Sequence, residues 1–110
     1  MDNDIQRIIE HLRVFVTERD WSQFHNAKDL SIALSIEANE LLEHFLWKKP
    51  DEVTKEQISH ELADVLIYSL MFADEMGIDV IDCIEKKMIE NALKYPADKV
   101  KGSSKKYTEY

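Results

Sequence analysis

Of 110 residues only four are glycine or proline: Pro50, Gly77, Pro96 and Gly102. A β-rich chain places such residues at turn after turn, so a chain with so few is left with long helices and short connections. Apolar periodicity agrees. Ile5, Ile8, Ile9, Leu12, Phe15 and Val16 recur at helical spacing and predict a first helix from residue 3 to about 19, with Asn3 as its N-cap. The stretch from Arg19 to His25 is aromatic without a helical stripe and reads as an ordered loop, and Asn26 follows as a turn or capping residue. A second helix is expected from about Ala27 to Trp47, closed by Pro50 and Asp51. Thr54 and Gln57 have the spacing of a capping box for a third helix that runs to Met76 and stops at Gly77. Asp79 caps a fourth, carrying Val80, Ile81, Ile84, Met88 and Ala92 and ending before Pro96.

Four helices with short links imply an all-α four-helix bundle, one domain over residues 1–98 with a basic, polar tail over 99–110. Leu62, Ala63, Val65, Leu66, Ile67, Leu70, Met71 and Phe72 nearly encircle the third helix. A helix apolar all round must be central, and in so short a chain this points to a second subunit completing the core.

The formal net charge of -8 repels a nucleic-acid backbone, and the basic run Lys99–Lys106 is short, so no polymeric nucleic acid is expected as partner. No apolar run is long enough to span a bilayer, the opening Asp2-Asn3-Asp4 is no secretory signal, and Cys83 is the one cysteine. A reducing cytoplasm is therefore the expected compartment. Cys83 lies amid apolar residues and is expected in the core.

Two carboxylate pairs carry the chemistry. Glu37 and Glu40 lie three apart, as do Glu61 and Asp64, so each pair shares a helix face. Glu37 sits on the stripe of Leu30, Ala33, Leu34, Leu41 and Phe45, and Glu61 on that of Ile58, Leu62, Val65 and Leu66. An unpaired carboxylate on a buried face is strongly disfavoured, and no Lys or Arg lies between residues 29 and 47 to neutralise the first pair. The simplest remedy is a divalent cation held between the two helices. Solvated surface acids would account for Glu40 alone, but not for Glu37 and Glu61 on apolar stripes. Mg²⁺ takes oxygen ligands and leaves positions for substrate phosphates. A di-iron site wants Glu-x-x-His, which no histidine here supplies: His44 follows Glu40, and His60 follows Glu56, by four. A phosphate-binding glycine loop is also missing.

Trp21, Phe24 and His25 flank one end of the second helix and Trp47 the other. They either cap the core or, for the two tryptophans, wall a slot for a flat base. Tyr68 lies one turn beyond Asp64, near any ligand on the carboxylates, unless it is a core tyrosine with a satisfied hydroxyl. On the fourth helix Lys87, Asn91, Lys94 and Tyr95 approach a common side, where Lys87 and Lys94 could meet phosphate; the plainer alternative is a solvated face.

With Glu-x-x-Glu followed by Glu-x-x-Asp on consecutive helices, the chain resembles the MazG-like all-α nucleotide pyrophosphohydrolases. Glu18-Arg19-Asp20-Trp21-x-Gln23-Phe24-His25, Phe45-x-Trp47-Lys48, Asp64-Val65-Leu66-Ile67-Tyr68, Asn91-x-x-x-Tyr95-Pro96-Ala97 and Ser103 to Glu109 are similar to its dCTP pyrophosphatase branch. The resemblance covers nearly the whole chain. It implies Mg²⁺-dependent hydrolysis, with Mn²⁺ as a substitute, of a deoxynucleoside triphosphate at its α-phosphorus to the monophosphate and pyrophosphate, a nucleotide-pool housekeeping role. It implies Glu37, Glu40, Glu61 and Asp64 as metal ligands, and Trp21, Phe24, His25, Trp47 and Tyr68 as nucleotide contacts. For the proton of the attacking water Glu40 or the nearby Glu43 is the expected acceptor on chemical grounds, while Lys87 and Asn91 would lie on the phosphate side by the resemblance. It also implies dimers or dimers of dimers (homotetramers) with sites built across subunits. The branch has a substrate-contacting histidine in its first helix. Alignment through Arg19-Asp20-Trp21 puts Leu12 there, with His11 one residue and about a quarter turn away. Two other functions stay open: a non-enzymatic helical interaction module, and a hydrolase of the same fold acting on another nucleotide such as dUTP.

Overall fold

The computed structural model describes residues 3–104 and 108. Lys105, Lys106, Tyr107 and Glu109, part of the C-terminal block quoted above, lie outside the described residues. The protein is all-α, as expected, with α1 Asp4–Glu18, α2 Ala27–Glu43, α3 Lys55–Met76, α4 Val80–Lys94 and α5 Ala97–Val100. Short 3₁₀ turns at Ser22–Phe24 and Pro50–Glu52 interrupt the links. Among the described residues no helix is long and apolar enough to cross a membrane.

Local chemistry fixes the helix starts. Asn3 Oδ1 accepts from the Gln6 N–H at 2.8 Å and Asn26 Oδ1 from the Asp29 N–H at 2.9 Å. At Thr54 the capping box is complete: Thr54 Oγ1 accepts from Gln57 N–H, and Gln57 Oε1 accepts from Thr54 N–H at 2.8 Å. Asp79 Oδ1 caps α4 through the Asp82 N–H. Gly77 ends α3 at φ 67°, a left-handed turn that glycine adopts without a Cβ clash, and Ile78 N–H closes it on the Ala73 carbonyl at 2.8 Å.

One boundary differs from the sequence expectation. The second helix ends at Glu43 rather than Trp47. Phe45, Leu46 and Lys48 turn their N–H groups back to carbonyls only three residues earlier, and Trp47 enters the left-handed region at φ 64°. That tighter winding ends the α-helical ladder.

The chain divides into two compact units, Met1–Ile78 and Asp79–Tyr110. In the first, α2 packs along α3, and α1 contacts α3 more lightly. Ile9, Val16, Leu30 and Ala73 are buried, while Glu37 on α2 and Glu61 on α3 are half-buried. The core is thin. Ile32 and Ile36 on α2, and Leu62 and Leu66 on α3, are each 46–55% exposed, so the all-round apolar α3 has one uncovered side. In the second unit α4 carries exposed Ile84, Met88, Ile89 and Leu93. Cys83 is exposed, not in the core as its apolar neighbours had suggested, because those neighbours are themselves exposed.

Arg13 on α1 reaches Asp74 on α3. The guanidinium donates hydrogen bonds to Asp74 and holds its carboxyl below the ordinary aspartate range, against a smaller opposing effect of burial. The folded pKa thus lies below the unfolded one. The pair's stabilisation is fully present above the unfolded value of about 4 and is lost as pH falls through the lower folded value. Thermal unfolding of Asp74→Asn should therefore show a slightly lower Tm than wild type at neutral pH and converge with it in strong acid. A difference that persists undiminished in strong acid would count against this titration.

Candidate active site

Glu37 and Glu40 on α2 meet Glu61 and Asp64 on α3 in one electrostatic cluster. The Glu37 carboxyl is pushed above the ordinary glutamate range, first by its side-chain hydrogen bond with Glu40. Burial follows, then the negative charges of Glu40, Asp64 and Glu61. Two carboxyl groups can hydrogen-bond only around a proton, so the cluster holds more negative charge than its helices can accommodate. Glu37 Oε2 and Glu61 Oε2 are buried and without a hydrogen-bond partner. Glu61 Oε2 does lie 3.1 Å from His44 Nε2, at ion-pair distance but not aligned as a hydrogen-bond acceptor. Asn39 Nδ2 donates to Glu43 Oε1 at 3.2 Å and steadies that carboxylate one turn beyond Glu40. Among the described residues no three carboxylate, imidazole or thiol groups already stand where they could hold a metal ion together. The cluster supplies charge and donor type, not a finished coordination shell.

Beside it lies a cavity of about 440 Å³, walled by α1, the loop after it and α3. Trp21, His25, Asp64 and Tyr68 line it together with Ile8, His11, Leu12, Phe15, Val16, Ile67 and Met71. Asp64 therefore belongs both to the carboxylate cluster and to the cavity wall. Trp21 packs edge-to-face on Phe15 with centroids 5.8 Å apart, and its backbone N–H donates to the Val16 carbonyl, so the loop is pinned to the end of α1. Arg19 stacks on the other partner of that pair, its guanidinium carbon 3.7 Å from the Phe15 centroid.

Of the remaining residues singled out in the sequence, Phe24 and Trp47 are not in the cavity lining; Phe24 is 63% exposed and Trp47 fully exposed. Lys87 and Asn91 lie on α4 in the second unit, where Lys87 Nζ is 3.5 Å from Glu90. Phe15 and Met71 stand in the sequence only as helix-core residues and Ile67 as a helix-core residue within the block from Asp64 to Tyr68, and their apolar periodicity carries no sign that they border a cavity. His44 beside Glu61 was also missed; its place at the end of α2 was the available signal.

The residues from 32 to 110 match the model of the MazG-like family. The chain belongs to the MazG-like family. Its dCTP pyrophosphatase 1 relatives include the human protein, 39% identical over 103 residues, and the bovine one, 38% identical over 104. Each alignment covers 86% of this chain and 61% of the relative, so the MazG-like chain spans less than two thirds of the length of these curated relatives. A pyrophosphatase from Archaeoglobus fulgidus has a crystal structure that superposes with a TM-score of 0.80 at 36% identity, over 87% of this chain and 95% of that one.

Membership in the MazG-like family suggests a divalent-metal requirement, and the residues fit such an ion. Two buried carboxylate oxygens lack partners, and the neighbouring carboxylates that push the Glu37 carboxyl upward set up a repulsion that a cation would relieve. The donors are hard oxygens, the type that Mg²⁺ or Mn²⁺ prefers.

Proposed function

We propose that this chain is a Mg²⁺-dependent nucleoside triphosphate pyrophosphohydrolase that cleaves a deoxynucleoside triphosphate, dCTP or a modified dCTP foremost, to the monophosphate and pyrophosphate. The observation that carries this reading is the double membership of Asp64, which puts a largely apolar cavity, with room for a base and its sugar, against a carboxylate cluster. The names of the relatives, dCTP pyrophosphatase and pyrophosphatase, agree with it.

In this reading Glu37, Glu40, Glu61 and Asp64 hold Mg²⁺, or Mn²⁺ in its place. The cation supplies polarisation of the phosphoryl oxygens and offsets charge on the leaving pyrophosphate. Trp21, His25 and Tyr68 receive the base and sugar in the cavity, with Phe24 and Trp47 as further nucleotide contacts. Glu40 or Glu43 accepts the proton of the attacking water. Lys87 and Asn91 are assigned to the phosphates on the resemblance of the block from Asn91 to Ala97. Residues 1–98 form the catalytic domain and 99–110 its tail, and the enzyme serves nucleotide-pool housekeeping in the cytoplasm.

A second copy covers the exposed apolar ridges of α2 and α3, giving a dimer or a dimer of dimers. Sedimentation at micromolar concentration should show such an oligomer, and Leu66→Lys, which puts a charge on the 55% exposed Leu66, should shift it toward monomer. A wild-type monomer would overturn that assignment.

The function is tested with a panel of common and base-modified deoxynucleoside triphosphates, dUTP included, with and without Mg²⁺, products being separated by ion exchange. Monophosphate plus pyrophosphate, formed only with the metal, is the expected outcome. Folded protein that turns over no nucleotide would overturn the proposal.

A further inference from the structure

Arg13 and Asp74 join α1 to α3 across 61 positions of sequence. Arg13 Nε donates to Asp74 Oδ2 at 2.9 Å and Arg13 Nη2 donates to Asp74 Oδ1, a bidentate fork that fixes orientation as well as distance. Arg7–Asp4, Arg19–Glu18 and Lys86–Asp82 each join residues within four positions and cannot tie one helix to another. The Arg13–Asp74 pair lines a second cavity, of about 150 Å³. Leu12, Val16, His25 and Met71 belong to the walls of both cavities, so they form a shared partition with open space on either side. A partition without close packing behind it forfeits dispersion contacts and resists displacement poorly. The register of α1 on α3 therefore leans on its polar tie.

We propose that Arg13 and Asp74 are positioning residues for base recognition. Their pair holds α1 against α3 and sets the width of the larger cavity between His11 and Phe15 on α1 and Ile67 and Tyr68 on α3. Neither residue touches the substrate. The inference rests on the reading of that cavity as the base pocket. Both side chains are partly exposed, at 53% and 29%, so the pair contributes little to global stability and its removal leaves a folded protein.

The test compares wild type, Arg13→Gln, Asp74→Asn and the exchanged pair Arg13→Asp with Asp74→Arg, all as the full chain. Three quantities are measured: KM and kcat for the best nucleotide, the Ki of inorganic tripolyphosphate as a base-free competitor, and amide hydrogen exchange along α1. Each single variant should raise KM about threefold to tenfold, with kcat within about twofold and the tripolyphosphate Ki unchanged. The α1 amides should exchange faster, and the exchanged pair should return both KM and exchange toward wild type. Unchanged KM in both single variants, or KM and Ki raised equally, would overturn the proposal, since a merely structural role weakens both ligands together. Should a single variant not fold, the exchanged pair decides: wild-type KM supports the clamp and a raised KM overturns it. Should wild type turn over no nucleotide, the function above fails; unchanged exchange in α1 then overturns the clamp on its own.

Discussion

Glu37→Gln and Glu61→Gln should each lower kcat at saturating Mg²⁺ by at least about a hundredfold while leaving the metal-free protein as stable as wild type or more so. The two halves of this expectation have one cause. Glu37 is pushed toward its neutral form by the hydrogen bond with Glu40, by burial and by the negative charges of Glu40, Asp64 and Glu61. Glutamine keeps the volume of glutamate and removes the charge, so repulsion within the cluster falls. A site that needs negative charge for a cation loses it by the same change, the usual conflict between stability and activity at a functional site. Turnover in Mg²⁺ and thermal unfolding in chelator measure the two halves separately. Variants that lose activity only because they unfold would show that Glu37 and Glu61 are structural.

Trp21→Ala should raise KM for the preferred nucleotide about tenfold to a hundredfold, with a smaller change in kcat. Stacking of a base on an aromatic face is worth about 1–3 kcal/mol, and Trp21 is the largest aromatic surface in the cavity lining. Its ring is held edge-on to Phe15 and its backbone N–H donates to the Val16 carbonyl, so both the ring and the loop that carries it are ordered before the base arrives. Trp21→Phe keeps an aromatic face and should recover most of the affinity. Initial-rate kinetics on both variants decide the matter; an unchanged KM in Trp21→Ala would place the base outside this cavity.

What was legible in the sequence was local. Caps at Asn3, Asn26, Thr54 and Asp79 and the stop at Gly77 depend on residues within a few positions, and the structure has them where the spacing put them. The gathering of Glu37, Glu40, Glu61 and Asp64 was also readable, because a three-residue spacing puts each pair on one helix face and consecutive helices pack together. The end of α2 was not, since the winding change before Trp47 has no glycine or proline to mark it. Nor was the Arg13–Asp74 tie, whose partners lie 61 positions apart on different helices. The exposure of Cys83 shows the same limit: an apolar surrounding in sequence buries a residue only if something packs on that face.

The central claim is that the carboxylates of α2 and α3 hold a divalent cation. Equilibrium titration with Mn²⁺, read by electron paramagnetic resonance of the free ion, tests it directly on wild type and on Glu37→Gln/Glu61→Gln. Saturable binding of at least one ion per chain in wild type, lost in the double variant while its helical circular dichroism is kept, is the predicted result. Equal uptake by both proteins, or none by wild type, would contradict it.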